Sequence, residues 1–137
     1  MTPLPQSPAA ERNKQPILEA LRRVLPQRGV ALEIASGTGQ HAAWFGAGLP
    51  GWLWQPTEAN SAALPTITAW VQQAGVTNVH PPCLLDVMEP TWPSDEQQPP
   101  ANAFGAQFDA IFCANLLHIS PWAACAALMQ GARRHLV

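Results

Sequence analysis

The sequence contains few charged residues and no excess of basic ones. Seven Lys and Arg stand against nine Asp and Glu in 137 residues, and the net charge at pH 7 is −2. Nucleic-acid binding depends on clustered Lys and Arg that neutralise phosphates. The arginine pairs at 22–23 and 133–134 each lie near a predicted helix end, where cations stabilise the helix dipole. The composition therefore argues against nucleic acid as a partner.

Paired cysteines and long apolar runs are also missing. The three cysteines, Cys83, Cys113 and Cys125, form no C-x-x-C motif, which argues against a zinc ribbon and a disulfide framework. No apolar run reaches the ~18 residues that a membrane span needs. The proline-rich stretch 1–10 lacks the apolar core of a signal peptide. We expect a cytoplasmic protein with reduced thiols, no bound metal and no membrane contact.

Apolar spacing predicts one domain in which helices and strands alternate. Helices are expected over 15–25, 40–45, 62–74 and about 120–135, and strands over 30–35, 52–57, 79–85 and 108–114. Ser120 is predicted to cap the last helix, with Pro121 at its first position. Residues 1–8 are expected to form a tail, docked or disordered, and residues 89–107 a proline-rich surface loop. Such alternation predicts a parallel sheet with right-handed crossovers.

The main functional motif lies at the first strand-to-helix junction, from Glu33 through Ser36-Gly37-Thr38-Gly39. Glycines let the backbone turn tightly and approach a ligand closely, and the following helix offers free N–H groups. Doubly wound sheets bind nucleotides at this junction. Glu58 follows about 20 residues after Gly39, where a carboxylate can accept the hydroxyls of a ribose. A purely structural turn and a solvated carboxylate are the alternative interpretations.

The glycine spacing alone leaves two cofactors open. Residues 37–42 also fit the pattern G-x-G-x-x-A, which is typical of NAD(P) sites. Glu33 favours S-adenosylmethionine (SAM), because a carboxylate beside the loop would repel the pyrophosphate of NAD(P). SAM carries no phosphate, and its sulfonium and ammonium groups are attracted to an acid. The charge therefore favours SAM over NAD(P).

Several segments carry a resemblance to class I SAM-dependent methyltransferases. Residues 30–39 resemble the first motif of that family, in which an acid precedes a glycine-rich loop. Glu58 resembles its ribose-binding acid, Asp86 the third-strand acid beside the adenine, and residues 109–118 the motif that flanks the methyl-transfer site. More narrowly, residues 11–14 and 115–122 resemble an uncharacterised methyltransferase-like family, domain of unknown function 938. The likeness covers essentially the whole chain.

The resemblance implies a Rossmann-like three-layer α/β/α fold with a mainly parallel sheet in the order 3-2-1-4. These would be four of the seven strands of the family fold, so we expect a chain shortened at its C-terminus. The fourth strand would then have an unpaired edge through which copies could associate. Ala35 departs from the wider pattern, because it stands where the family often has its first glycine.

The resemblance also implies methyl transfer from SAM to a small-molecule acceptor, with S-adenosylhomocysteine (SAH) as product. Catalysis would come from holding donor and acceptor in near-attack geometry. The expected cofactor-binding residues are Arg12, Asn13, Glu33, Ala35, Ser36, Gly37, Thr38, Gly39, Glu58, Asp86 and Asn115. For Asn13, a helix cap is the alternative role. An NAD(P)-linked oxidoreductase and a non-catalytic module, which binds SAM or serves only in interactions, stay open as alternative functions.

The catalytic candidates are Asn115 and His118, which follow the fourth strand. The imidazole of His118 titrates near neutrality and can act as a general base, although a hydrogen bond to a loop backbone is an equal alternative. Trp92, in the proline-rich loop, is the tryptophan expected to contact substrate. For His41, packing is favoured over a place in the cofactor pocket.

Overall fold

Four strands form one sheet in the order β3-β2-β1-β4 in the computed structural model of the chain, which describes residues 3–92, 107–114 and 122–137. The strands are β1 Gly29–Glu33, β2 Trp52–Glu58, β3 Cys83–Leu84 and β4 Ala110–Phe112. All three strand pairings are parallel. β2 is buried at six of its seven positions, as expected of a parallel strand covered on both faces. The predicted strand order is confirmed.

The helices are α1 Pro8–Val24, α2 Gln40–Gly48, α3 Leu64–Ala74 and α4 Ala123–His135, with a 3-10 turn at Ser61–Ala63. α3 ends at Gly75, whose φ of 69° closes the helix in the left-handed conformation. None of the helices in the described part of the chain is long and apolar enough to cross a membrane.

The first helix begins seven residues earlier than predicted. Ser7 caps it, because its hydroxyl accepts a hydrogen bond from the Ala10 N–H at 3.3 Å. Pro8 occupies the first turn, where a proline is favourable, and Pro16 is accommodated inside the helix. Asn13 therefore lies within α1, and its alternative role as a helix cap is wrong.

Residues of the predicted tail contact the helical layer. The Trp70 indole donates to the carbonyl of Pro5 at 2.9 Å, and the N–H of Ser7 donates to Gln40 Oε1 at 2.6 Å. The segment 3–7 therefore lies against α2 and α3.

Side chains of β1 alternate between two cores, one on each face of the sheet. Ala31 packs on one face with Leu18 of α1 and Phe45 of α2. Leu32 packs on the other face in the cluster that includes Ala124 of α4. Helices therefore cover both faces, and the predicted three-layer arrangement is confirmed.

The two outer strands are shorter than predicted. β3 keeps only Cys83–Leu84 of the expected 79–85, since Pro81 and Pro82 have no N–H to donate to a ladder. Val79 retains an isolated parallel bridge to Trp54.

The approach to β4 is paired rather than bare. Phe108 forms an isolated parallel bridge with Leu136, in which the Phe108 N–H donates to the His135 carbonyl at 2.8 Å. The N–H of Val137 donates back to the Phe108 carbonyl at 3.0 Å. The expected unpaired edge of the fourth strand is therefore wrong at Phe108. Association of copies through this edge stays a prediction.

Trp92 lies in the core and not at a surface where substrate could reach it. Its side chain is 1% exposed and stacks on His135, with ring centroids 4.9 Å apart. A Cβ built on Gly131 of α4 would lie 1.9 Å from the Trp92 ring. Glycine at 131 thus makes room for the indole, and the predicted substrate contact of Trp92 is wrong.

We expect Gly131→Ala to destabilise the fold by about 2 kcal/mol, because overpacking costs more than the helix propensity gained by replacing glycine. Urea unfolding followed by circular dichroism measures the change. The matched control is Gln130→Ala, at an exposed position of the same helix, which should change stability by less than about 0.5 kcal/mol. A Gly131→Ala protein as stable as the control would contradict the packing argument.

Candidate functional site

The loop after β1 is fastened to the carboxyl end of β2. The N–H of Ser36 donates to the Thr57 carbonyl at 2.8 Å, and the N–H of Thr57 donates to Ser36 Oγ at 3.1 Å. The Thr57 hydroxyl donates to the Glu33 carbonyl at 2.6 Å. These reciprocal bonds extend the β1–β2 pairing into the loop and set the position at which the glycines begin.

Glu33, the last residue of β1, is a buried carboxyl group. Its side chain is 2% exposed, and its Oε1 accepts from the Ser36 hydroxyl at 2.8 Å and the Trp54 indole at 3.2 Å. Burial raises the pKa of Glu33 to about 7, although the bonds from Ser36 and Trp54 lower it and the charge of Glu58 raises it further. Burial therefore favours the protonated, neutral form of this carboxyl group.

Glu58, the last residue of β2, lies beside the glycine loop. Its Oε1 accepts from the N–H of Gly37 at 3.3 Å, and its Oε2 accepts from the N–H of Asn60 at 2.8 Å. The structure thus brings together the two acids that the sequence analysis singled out, one on each of two neighbouring strands. The negative charge of Glu58 contributes to the raised pKa of Glu33, after the larger effect of burial.

Three residues of the loop have left-handed backbone angles. The φ angles are 56° at Ala35, 62° at Gly37 and 96° at Gly39. A Cβ on Gly39 would lie 2.7 Å from the Ile67 Cα, so the close approach of α3 requires glycine there. A Cβ on Gly37 would meet nothing within 4 Å. Gly37 therefore borders open space in which a ligand has room.

Ala35 adopts the conformation that explains the family preference for glycine at its position. A non-glycine residue in the left-handed region costs roughly 1–2 kcal/mol. The alanine methyl is accommodated, since Ala35 packs against the core on the α4 side of the sheet.

Asp86 and Arg12 lie at exposed positions. Asp86 Oδ1 accepts from the N–H of Met88 at 2.9 Å and so stabilises the turn after β3. The N–H of Leu85 donates to the Glu58 carbonyl at 3.0 Å. Asp86 therefore lies just beyond Leu85, close to the end of β3 that pairs with Glu58 and at the same edge of the sheet.

Asn13 joins α1 to α2 through His41. Asn13 Oδ1 and His41 Nε2 are 2.7 Å apart, and the imidazole stacks on Phe45 with centroids 5.0 Å apart. Burial, together with the charge of Lys14, lowers the pKa of His41. This geometry agrees with packing for His41 and makes helix docking the observed contact of Asn13.

Gln40 is a site residue that the sequence analysis missed. It is 3% exposed and opens α2 directly after the glycines. Its Oε1 accepts from Ser7 and from the Thr38 hydroxyl, and its Nε2 donates to Glu11. Periodicity gives no signal for such a residue, because its partners come from α1 and from the segment before it.

Two predicted site residues lie outside the described part of the chain, namely Asn115 and His118, as do Ser120 and Pro121. Their roles stay predictions. Among the described residues, no group of three or more His, Cys, Asp and Glu side chains is arranged to hold a metal ion.

The described loop combines an open backbone with acidic side chains. Gly37 leaves space for close approach, and Glu58 places a carboxylate against the Gly37 N–H, while the carboxyl group of Glu33 is buried against Ser36 and Trp54. Carboxylates accept hydrogen bonds from hydroxyl and ammonium groups and repel phosphates. The arrangement suits a ligand with sugar hydroxyls and positive charge.

The comparisons with known proteins agree with this architecture. A family model described as "Protein of unknown function (DUF938)" matches residues 4–137. Coclaurine N-methyltransferase bound to N-methylheliamine and SAH is 12% identical, with a TM-score of 0.64 over 90% of this chain and 32% of that one. A glycopeptide N-methyltransferase complexed with sinefungin is 19% identical, with a TM-score of 0.62 over 91% and 46%.

A sugar N-methyltransferase from Streptoalloteichus sp is 18% identical, with a TM-score of 0.61 over 100% of this chain and 51% of that one. The chain thus spans between 32% and 51% of the length of these three proteins. At these identities the likeness shows the fold, and the predicted class I methyltransferase-like fold is confirmed.

The two loop glycines should differ in their effect on stability. We expect Gly39→Ala to cost about 3 kcal/mol, because a left-handed alanine would also collide with the backbone of Ile67. Gly37→Ala adds only the backbone cost, about 1 kcal/mol. Urea unfolding of both variants gives the comparison, and equal losses would show that the α3 backbone is not in close contact with Gly39.

Glu33 should make stability depend on pH. Its pKa is raised from 4.5 to about 7 on folding, so the folded chain holds a proton that the unfolded chain releases between these values. The stabilisation is complete below pH 4.5 and is lost as the pH rises to about 7, by roughly 3 kcal/mol. Unfolding free energies measured across this range should lose that slope in Glu33→Gln and keep it in Glu19→Gln, an exposed carboxylate of α1. A slope that survives Glu33→Gln would assign the titration to another group.

Proposed function

The chain belongs to the family described as protein of unknown function (DUF938), and we propose that it is a SAM-dependent methyltransferase whose cofactor site is the glycine loop between β1 and α2. The observation that carries the proposal is the position of Glu58. Its carboxylate meets the N–H of Gly37, at the one loop glycine whose α-carbon borders open space.

Two features of the loop support SAM as the ligand. The open space at Gly37 admits a ligand against the backbone, and Glu58 lies where it can accept the ribose hydroxyls. Asp86, which follows β3 at the same edge of the sheet, is the residue proposed for the adenine side. When bound, SAM supplies an electrophilic methyl group on its sulfonium.

Glu33 supports this site from the buried side of the loop. Its Oε1 accepts hydrogen bonds from the Ser36 hydroxyl and the Trp54 indole, and these bonds hold the loop in position. A cation in the crevice would favour the ionised form of Glu33, whose pKa lies near 7. The loop is thus held in place before a ligand arrives, which lowers the ordering cost of binding.

The acceptor is proposed as a small molecule. The similar structures named for coclaurine and for a sugar support this class, as does the low content of basic residues. Catalysis would rest on positioning in a crevice that excludes water. The general base proposed for it is His118.

NAD(P) is the second candidate cofactor, because residues 37–42 match G-x-G-x-x-A. Against it stands the carboxylate of Glu58 beside Gly37, which would repel a pyrophosphate on the loop. Glu33, which is buried, would add to that repulsion in its ionised form. An oxidoreductase therefore fits the charges of the site less well than a methyltransferase. A module that binds SAM without turnover would share the whole site and differ only in activity.

Isothermal titration of SAH tests the cofactor proposal. We expect wild type to bind and Glu58→Gln to bind about tenfold more weakly, since hydrogen bonds to a charged group contribute about 1.5–3 kcal/mol. Gly37→Val should abolish binding, because its side chain would fill the open space. Glu89→Gln, an exposed carboxylate, is the matched control and should bind like wild type.

NADH is titrated in parallel, with no binding expected. Binding of NADH that Gly37→Val removes would favour the oxidoreductase, and SAH affinity unchanged in both site variants would overturn the proposed site. Unfolding midpoints of each variant separate loss of binding from loss of fold.

A further inference from the structure

The side chain of Gln40 joins three separate parts of the chain. Its Oε1 accepts from the Ser7 N–H at 2.6 Å and from the Thr38 hydroxyl at 2.7 Å, and its Nε2 donates to Glu11 Oε1 at 2.9 Å. The Gln40 N–H donates back to the Thr38 hydroxyl oxygen at 3.3 Å. Both ends of this buried carboxamide are therefore in use.

Thr38 lies between the two loop glycines. The bond of its hydroxyl to Gln40 therefore constrains the conformation of the loop. The N-cap of α2 is Gly39, which has no side chain to cap the helix. The Thr38–Gln40 pair takes over that task. Movement of the Gln40 side chain would therefore alter the backbone conformation between Gly37 and Gly39.

The segment 3–7 is held at its other end by Trp70 of α3. The indole N–H donates to the Pro5 carbonyl at 2.9 Å, two residues before Ser7. Trp70 itself is far from the loop in sequence and makes its described hydrogen bond to this segment alone. Docking of the segment on α3 and bonding of Ser7 to Gln40 thus belong to one continuous contact.

We infer that Gln40 is a positioning residue that couples docking of the N-terminal segment 3–7 on Trp70 to the conformation of the glycine loop, and thereby to cofactor affinity. The effect on cofactor affinity rests on the proposed function, whereas the coupling of the segment to the loop conformation does not. Because such coupling is reciprocal, cofactor binding would in turn favour docking of segment 3–7 on α3.

Glu11 makes the coupling specific to the polarity of position 40. Hydrogen bonds from Lys14 and Gln40 lower the pKa of Glu11, so it accepts as a carboxylate. A glutamate at 40 would oppose that charge, whereas exchanging the two residues restores one donor and one acceptor. The exchange therefore distinguishes a specific hydrogen bond from a general need for a polar residue.

The test uses four variants of the full chain and two readouts. Gln40→Glu and Trp70→Phe break the network at its centre and at its far end, and the double variant Glu11→Gln/Gln40→Glu restores it with reversed polarity. Trp44→Phe is the matched control, because its indole donates to Gln15 of α1 and not to the segment. The readouts are SAH affinity by titration and hydrogen exchange of the Gly37, Gly39 and Ala43 amides without ligand.

We expect SAH affinity to fall about tenfold in Gln40→Glu and about fivefold in Trp70→Phe. The loss of one hydrogen bond weakens binding about fivefold. The double variant should return to within about twofold of wild type, and Trp44→Phe should equal wild type. Loop amides should exchange faster in the two weakened variants, while the Trp54 amide, bonded to Asn78, stays unchanged.

The two readouts separate the inference from the proposed function. If wild type does not bind SAH but loop exchange follows the same order of variants, the cofactor proposal fails and the coupling stands. If Trp70→Phe leaves both readouts unchanged, or the double variant is no better than Gln40→Glu, the coupling is overturned.

Discussion

The burial of the Glu33 carboxyl group at the end of β1 is the constraint on which the rest of the site depends. A carboxyl group removed from water must find donors, and here it finds them in Ser36 and Trp54. Ser36 in turn bonds to the backbone of Thr57. The same few bonds therefore satisfy a buried acid, join the loop to β2 and set where the left-handed residues begin. The cost of burial appears as the raised pKa of Glu33.

The glycine loop is shaped by two different requirements. At Gly39 the neighbour is the backbone of Ile67, so glycine is needed for packing of α3. At Gly37 no neighbour approaches, and the backbone N–H meets Glu58 instead. One glycine thus serves the fold and the other leaves room for a ligand. The two requirements can be told apart only from the position of α3, which approaches Gly39 and not Gly37.

The N-terminal helix is as much a part of the site as the sheet. Glu11 and Asn13 belong to the short motif that resembles a methyltransferase-like family, and both contact the start of α2: Glu11 at Gln40 and Asn13 at His41. These contacts hold the start of α2, where the loop ends. The motif therefore acts on the site through Gln40 and His41, which periodicity did not single out.

The sequence by itself determined the order of helices and strands, the parallel sheet, the loop after β1 and the two acids at neighbouring strand ends, because alternation, glycines and charges are local signals. It overestimated β3, where prolines interrupt the ladder, and misjudged Trp92, whose place in a proline-rich loop did not reveal its packing on Gly131 and His135. Only the tertiary structure decided which donors Glu33 finds, which glycine is crowded and how Gln40 joins α1 to the loop. The contacts of Glu33 with Trp54, of Gln40 with Glu11 and of Gly39 with Ile67 join residues about 20 or more apart along the chain. Their geometry is set by how helices pack on the sheet, which no local pattern encodes.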